Sequence, residues 1–417
     1  MTKIDPIYVG HDAIDHLLDY VKAHSLNRFC IVADENTFPA LGHRVEATLK
    51  AAGHNVSSVV LAGHHIHTDE HQCMQVFIRA PLGPLTFIAV GSGTITDITR
   101  FVSHRTGRSF IGMPTAPSVD GFTSIGAPII LAGVKTTILC QAPLAVFADL
   151  PTLAQAPQAL IGAGFGDMIG KITSLADWKM GSLLWDEPYD TAIAARSQAA
   201  IDSVVNHADA IGNHTEEGVR ALMDALIESG LCMLDFGTSR PASGAEHHAS
   251  HYWEMKRLGE GRETQFHGAQ VGYALTLVAK QYAKIRALSR AQALDKLEGA
   301  TLPSRESEVE AIHTGYGAMV DDIVKEHLPF LDLNEAGFDQ LKHKIADHWD
   351  EIQAIAARVP PPEEIASALH KAGAPITWAE LGLDADEVQP GFDYGHYLRN
   401  RFTVIKLSRV LGVPLTV

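Results

Sequence analysis

Cysteine is scarce in this chain: Cys30, Cys73, Cys140 and Cys232 are the four in 417 residues. None forms a Cys-x-x-Cys pair, and the wide spacing suits neither a zinc ribbon nor a compact disulfide framework. Reduced thiols in a cytoplasmic protein are the expectation. Positive charge is also short, with 33 Lys+Arg against 49 Asp+Glu for a formal charge of -16. That balance argues against a nucleic-acid partner, because phosphate backbones need a basic stripe. It leaves room for one small phosphate held by a few local donors. Long apolar runs are missing as well. Nothing reaches the ~18 residues of a membrane span, and the nearest stretch, 81–96, is broken by proline and glycine. The opening MTKIDPIYVGHDAIDHLL has no basic region followed by an apolar core, so no signal peptide is read there. No membrane partner is expected.

What is present is a large apolar complement, 46% of the residues, with 22 histidines. At roughly 100–200 residues per domain, two domains are the natural reading. The first third alternates apolar runs with amphipathic stretches. Strands are predicted at 28–34 (RFCIVAD), 54–62, 85–90 (LTFIAV), 109–113 and 144–147, with helices at 39–52, 69–80 and from about residue 96. Alternation at this spacing implies a mostly parallel sheet covered on both faces. Such sheets bind ligands at the carboxyl ends of their strands. From about residue 151 the period changes to 3.6, at 191–205, 216–234, 270–287, 308–325 and 341–357. After Pro360-Pro361-Pro362, further helices are predicted at 363–372 and 391–410. The expected plan is an α/β domain over 1–153 and an all-α domain over 154–417.

Three constellations can carry chemistry. Gly91-Ser92-Gly93-Thr94-Ile95-Thr96-Asp97 directly follows a predicted strand. A strand, a G-x-G turn and a helix start can bring backbone N–H groups against a pyrophosphate. The third glycine of the usual dinucleotide fingerprint is missing, and a tight turn without a ligand accounts for the segment almost as well. Next, Pro114-Thr115-Ala116-Pro117-Ser118-Val119-Asp120-Gly121 is a stiff loop at a strand end, offering Thr115, Ser118 and Asp120. It is either an ordinary turn or a site loop.

The third constellation is Ser243-Gly244-Ala245-Glu246-His247-His248-Ala249-Ser250-His251, followed by Phe266-His267-Gly268. His247 and His251 are four apart and share a helix face. A metal site wants three ligands with a position open to substrate, and Asp167 is a candidate for the carboxylate. His248 stands where the HExxH motif has its glutamate, which argues against a zinc protease. The densest histidine cluster, Gly63-His64-His65-Ile66-His67-Thr68-Asp69-Glu70-His71, has no apolar pattern and reads as a solvated loop.

Taken in order, VGSGTITDITRF, MPTAPSVDGFTS, GAGFGDMIGKITSLADW, RPASGAEHHASHYWEM and QFHGAQVGYA resemble the iron-containing alcohol dehydrogenase and dehydroquinate synthase superfamily. The branch they are most similar to is the sn-glycerol-1-phosphate dehydrogenases, in particular the bacterial AraM-like proteins. The strand end Asp34-Glu35-Asn36-Thr37 and the C-terminal HYLRNRFTVIKLSRVLG fit too, so the resemblance covers nearly the whole chain.

The resemblance implies a dehydroquinate synthase-like fold. A dinucleotide-binding domain over 1–153 would precede a helical metal- and substrate-binding domain, with catalysis in the cleft between them. It implies Asp167, His247 and His267 as metal ligands, with His251 near substrate as a catalytic proton relay. Gly91, Ser92, Gly93, Thr94 and Asp97 would border the cofactor pyrophosphate, with Asp34 near the adenosine ribose. Thr115, Ser118, Asp120 and Ser124 would line the nicotinamide side, Asp120 counted as catalytic, and Lys135 would lie near cofactor or substrate. The cofactors implied are NAD or NADP and one divalent ion, zinc or nickel, with iron possible.

The reaction implied is hydride transfer between sn-glycerol 1-phosphate and dihydroxyacetone phosphate. The ion would lower the alcohol's pKa in one direction and polarise the ketone in the other. Lys256, Arg257 and Arg262 are the candidates for the substrate phosphate. The alternatives are a dehydrogenase of glycerol or another unphosphorylated polyol, and a cyclising lyase of the dehydroquinate synthase type. Against the lyase, the helix reads EHHASH where those synthases have a glycine-framed GHxxGH. Relatives also imply a homo-oligomer, a dimer or higher.

Overall fold

The computed structural model describes residues 4–63, 66–131 and 134–415. Two compact units emerge, one of Met1–Met168 with Asp202–Asp235, the other of Ile169–Ile201 with Phe236–Val417.

The first unit is built on strands β1 (Ile7–Gly10), β2 (Arg28–Asp34), β3 (Asn55–Leu61), β4 (Thr86–Gly91), β5 (Phe110–Pro114), β6 (Gly126–Leu131), β7 (Val134–Leu139) and β8 (Val146–Asp149). Six of them form one sheet in the order β1-β8-β5-β4-β2-β3, every pair parallel. β6 and β7 form a separate antiparallel pair. Helices α1 (Ala13–Ala23), α2 (His43–Ala51), α3 (Glu70–Arg79) and α4 (Gly93–Arg105) connect strands, and α5 (Leu150–Ala154) follows the last one.

Side chains alternate faces along a strand, so the sheet has two cores. Phe29, Ile31, Ala33, Ile88, Val90, Ile111 and Met113 pack with α1 and α2 on one face. Cys30, Val32, Phe87, Ala89 and Phe110 pack with α3 and α4 on the other. This two-sided burial explains why the central strands read as continuous apolar runs. The chain reverses its direction of travel across the sheet between β2 and β4, which are neighbours. Crevices at such switch points are the usual ligand sites of open parallel sheets. They lie here at the β2 end, Asp34, and the β4 end, Gly91.

Helix α6 (Gln158–Leu184) runs from the first unit into the second. α7 (Thr191–Asn206), α8 (Ala208–Gly212) and α9 (Glu216–Phe236) follow. The second unit contains α10 (Ala245–Gly259), α11 (His267–Arg286), α12 (Arg290–Gly299), α13 (Arg305–Tyr316) and α14 (Val320–Leu331). α15 (Glu335–Asp347), α16 (Trp349–Arg358), α17 (Pro362–Lys371), α18 (Ala385–Tyr394) and α19 (Val404–Val410) complete it. No described helix is long and apolar enough to cross a membrane.

The expected α/β-then-helical plan is the one adopted, with differences in detail. α4 begins at Gly93, three residues before the expected start. The helix expected at 308–325 is divided at Gly317, whose φ of 53° ends α13. The helix expected at 391–410 is not continuous either. Gly395 lies so close to α10 that a Cβ there would sit 2.9 Å from the His248 carbonyl oxygen. Beyond it, Phe402 N donates to Glu187 Oε1 (2.6 Å) and Val404 N to Asp177 Oδ1 (2.8 Å). Carboxylates satisfy these N–H groups where a helix would otherwise use its own carbonyls.

Candidate active site

In the first unit, the residues expected around a dinucleotide come from adjacent strand ends. Parallel pairing aligns Val32 with Ala89 and Gly91 with Pro114. Asp34, the turn Gly91–Thr94 and the loop from Thr115 therefore leave the sheet along one edge. Asp34 Oδ1 accepts the Asn36 and Thr37 backbone N–H groups at 2.9 and 2.7 Å, so the carboxylate closes its own turn.

Gly91 has no room for a side chain, since a Cβ would meet Ile95 at 2.5 Å. Ser92, the N-cap of α4, makes no side-chain bond to the helix N-terminus. Its first-turn N–H groups, with half-buried Thr94 among them, are the kind that receive anions. One turn on, Asp97 Oδ1 pairs with Arg100 Nη1 at 2.5 Å. Burial pushes the Asp97 carboxyl up to about 7, against the pull of the Arg100 and Lys135 charges. Lys135 itself projects from β7 and is half-buried.

The loop after β5 is held from several sides. Arg100, with no exposed surface, donates to the carbonyls of Gly121 (2.5 Å) and Gly126 (3.0 Å). Thr115 N reaches Gly91 O at 3.3 Å, Ser118 N reaches Ala116 O at 3.0 Å, and Ser124 Oγ donates to Gly121 O at 3.2 Å. Two helices press on the loop through glycines. A Cβ at Gly164 of α6 would fall 1.8 Å from Pro117 O, and one at Gly230 of α9 would fall 2.7 Å from Asp120 O. Asp120 is fixed at both ends: its Oδ2 accepts Ser229 Oγ at 2.8 Å, and its N–H donates to Asp167 Oδ2 at 3.0 Å. Asp167 is 1% exposed.

In the second unit, α10 and α11 bring three imidazoles together. Ring centroids of His247 and His267 are 5.3 Å apart, and those of His251 and His267 stack at 4.9 Å. His247 Nδ1 donates to Glu246 Oε1 at 2.7 Å. That bond fixes the tautomer and leaves Nε2 as a lone-pair donor, the arrangement seen behind metal-bound histidines.

Glu246 is fully buried and also accepts Thr173 Oγ1 (2.6 Å), Ser174 Oγ (2.5 Å) and Gly244 N (2.7 Å). Burial opposes its charge, but the bonds and the His247 imidazole outweigh it and lower the carboxyl to about 2. Glu254, 8% exposed, lies 3.7 Å from His251 Nδ1 and 4.0 Å from His267 Nδ1. His251, Glu254 and His267 each bring a ligand-type atom within 4.8 Å of the others. Imidazole nitrogens with a carboxylate at this spacing are a donor set that fits a divalent cation. Gly170 of α6 borders the same place, for a Cβ there would lie 3.7 Å from His247 Cε1.

A family model described as iron-containing alcohol dehydrogenase matches residues 8–157. An NAD(P)+ glycerol-1-phosphate dehydrogenase of Halalkalibacterium halodurans is 38% identical over 406 residues, covering 97% of this chain and 92% of that protein. The chain belongs to the glycerol-1-phosphate dehydrogenase family. The enzyme of that name from Bacillus subtilis is 38% identical, with 97% and 91% of the two chains covered. In fold, the chain is similar to a Schizosaccharomyces pombe glycerol dehydrogenase structure, with TM-score 0.60, 16% identity, and 97% and 87% of the chains covered.

For a glycerol-1-phosphate dehydrogenase, the basic residues read from sequence as phosphate donors are differently employed. Arg257 donates to Glu387 Oε2 at 2.9 Å and to the Gly382 carbonyl, and Arg262 pairs with Glu387, Asp384 and Glu260. Lys256 pairs with Glu260 at 3.2 Å on the surface. In the histidine-rich loop after β3, His64 and His65 lie outside the described residues. Glu246 and Glu254 are the members of this site that sequence reasoning did not single out. The signal was there for Glu246, as the carboxylate immediately before the first histidine of the motif.

Proposed function

We propose that this chain catalyses the NAD(P)-linked interconversion of sn-glycerol 1-phosphate and dihydroxyacetone phosphate. The observation that carries the reading is the near full-length identity to a relative of that name, 38% over 97% of the chain. Asp167, His247 and His267 are the proposed metal ligands. When bound, a divalent ion (zinc, nickel or iron) supplies Lewis acidity toward the substrate oxygen, and the nicotinamide exchanges hydride with the substrate carbon.

The protein's own part is positioning and proton handling. Glu246 holds His247 with its Nδ1 protonated, which keeps Nε2 a donor. His251, partly exposed and with its Nδ1 toward Glu254, moves the hydroxyl proton between substrate and solvent. Asp120 is immobilised by Ser229 and borders the nicotinamide side, with Thr115, Ser118 and Ser124 in the same loop. Gly91, Ser92, Gly93, Thr94 and Asp97 present the α4 N-terminus to the pyrophosphate, with Lys135 close to Asp97. Asp34 faces the adenosine ribose, where a carboxylate favours NAD over a 2′-phosphorylated cofactor.

The test is NADH oxidation followed by absorbance with dihydroxyacetone phosphate and with dihydroxyacetone, after loading with zinc, nickel or iron separately. Turnover is expected with the phosphorylated ketone, with the higher kcat/KM. A preference for dihydroxyacetone moves the assignment to an unphosphorylated polyol. Failure with both ketones under every metal defeats the dehydrogenase reading.

A further inference from the structure

The second unit gathers several cationic side chains beside α10, with Glu187 and Glu326 as the carboxylates that act on Arg401. Arg240 pairs with Glu187 and also donates to the carbonyls of Asp177 and Phe402 at 2.9 and 3.3 Å. It is 5% exposed, and its Nη1 is buried with no hydrogen-bond partner. Arg401 reaches the residues just before α10, donating from Nη1 to Ser243 O at 2.8 Å and from Nη2 to Ser239 Oγ at 3.0 Å. Arg399 donates to the Leu398 carbonyl at 3.1 Å. Among the described residues, no carboxylate lies within ion-pair distance of Arg399, Arg401 or Lys406.

His248, immediately after the proposed ligand His247, is 1% exposed with neither ring nitrogen hydrogen-bonded. Arg401, Arg399, Lys406 and Arg240 all act on it electrostatically.

Buried polar groups left without a partner are costly, as Arg240 Nη1 and both His248 ring nitrogens are here, and a guanidinium cluster is relieved best by an anion with several oxygens. A phosphate accepts the fork geometry of arginine. Arg399 and Arg401 are only half-buried, so a ligand can reach them. We propose that Arg240, Arg399 and Arg401, together with the His248 imidazole, form a site for a phosphate monoester beside the first turn of α10. Resting on the function proposed above, the phosphate is that of the triose, taken up next to the helix that carries His247 and His251. The arginines on loop 398–403 take the part for which the sequence suggested Lys256, Arg257 and Arg262.

The test titrates inorganic phosphate into the full chain and follows the thermal unfolding midpoint of wild type, Arg399→Gln, Arg401→Gln and Arg401→Lys. Wild type is expected to show a saturable rise. Both glutamine variants are expected to need at least tenfold more phosphate for the same rise, with Arg401→Lys intermediate. An equal response in all four proteins, or none in wild type, overturns the site. Arg399→Gln keeps the test open if Arg401→Gln does not fold.

Calorimetric titration of dihydroxyacetone phosphate with and without saturating inorganic phosphate then identifies the source. Competition in wild type assigns the site to the substrate, and independent binding overturns that assignment. Phosphate binding that depends on these arginines without turnover of dihydroxyacetone phosphate counts against the proposed reaction and leaves the anion site standing.

Discussion

Glu246 is a positioning residue, and its effect is transmitted through His247. Four hydrogen bonds converge on its carboxylate, two from hydroxyls of α6, one from the Gly244 N–H and one from the His247 ring. Glu246→Gln keeps the volume but places an amide where only acceptors are wanted. Metal affinity is expected to fall by about 10–100-fold, the range for losing the partner behind a metal-bound histidine. Competition with a chromogenic chelator measures it, and an unchanged midpoint would remove Glu246 from this role. His247, His251 and His267 are legible in the sequence because an i, i+4 pair followed by an isolated F-H-G is an unusual pattern for a helical surface. Glu254 is not legible in the same way, and Glu246 is marked only by its place immediately before His247. A glutamate in an amphipathic helix reads alike whether it is solvated or buried, and only packing against Thr173 and Ser174 separates the two cases.

Among the elements, the loop after β5 depends most on what packs against it. Gly164 on α6 and Gly230 on α9 both touch it where any Cβ would overlap backbone oxygens. Gly164→Ala is expected to displace the loop, to cost about 1–3 kcal/mol as overpacking does, and to weaken NADH binding at least tenfold. Urea unfolding and NADH fluorescence titration read the two effects. Wild-type affinity in Gly164→Ala would mean the loop does not border the cofactor.

The parallel sheet is legible from its apolar runs and α3 from its spacing; the structure adds the Asp69 cap, whose side chain accepts Gln72 N at 2.8 Å. β1 is not legible, since four residues carry too little pattern. The amphipathic stripe of α9 likewise looks the same whichever unit it packs with. The break at 395–403 depends on Asp177 and Glu187, more than two hundred residues away in sequence, so no local pattern announces it.

Considered as a whole, the molecule's stability carries a pH dependence set by buried imidazoles. His327 and His396 are held neutral, both chiefly by burial and then by the charges of Lys406 and Arg409. Their folded values lie below the unfolded value near 6.5, so the unfolded chain binds more protons below that pH. The contribution of these two imidazoles is therefore complete above about 6.5 and falls as pH drops beneath it, by about 1.4 kcal/mol per pH unit for each. The buried Asp97 and Asp177 carboxyls, each raised to about 7 by burial, act in the opposite sense over the same range. The difference between wild type and His327→Phe isolates the imidazole: from pH 6.5 to 5 the urea midpoint of wild type is expected to lose ground to that of His327→Phe, and parallel profiles would contradict this.

The chain's net charge of -16 gives no long-range attraction to a phosphorylated triose, so capture rests on local groups. The proposed chemistry itself rests on the metal and its ligands. The structure also offers a competing set in His251, Glu254 and His267. Elemental analysis of metal bound by wild type, His247→Ala, His251→Ala and His267→Ala decides between them. About one equivalent is expected in wild type and His251→Ala, with loss in His247→Ala and His267→Ala. Metal retained by His247→Ala but lost from His251→Ala would contradict it.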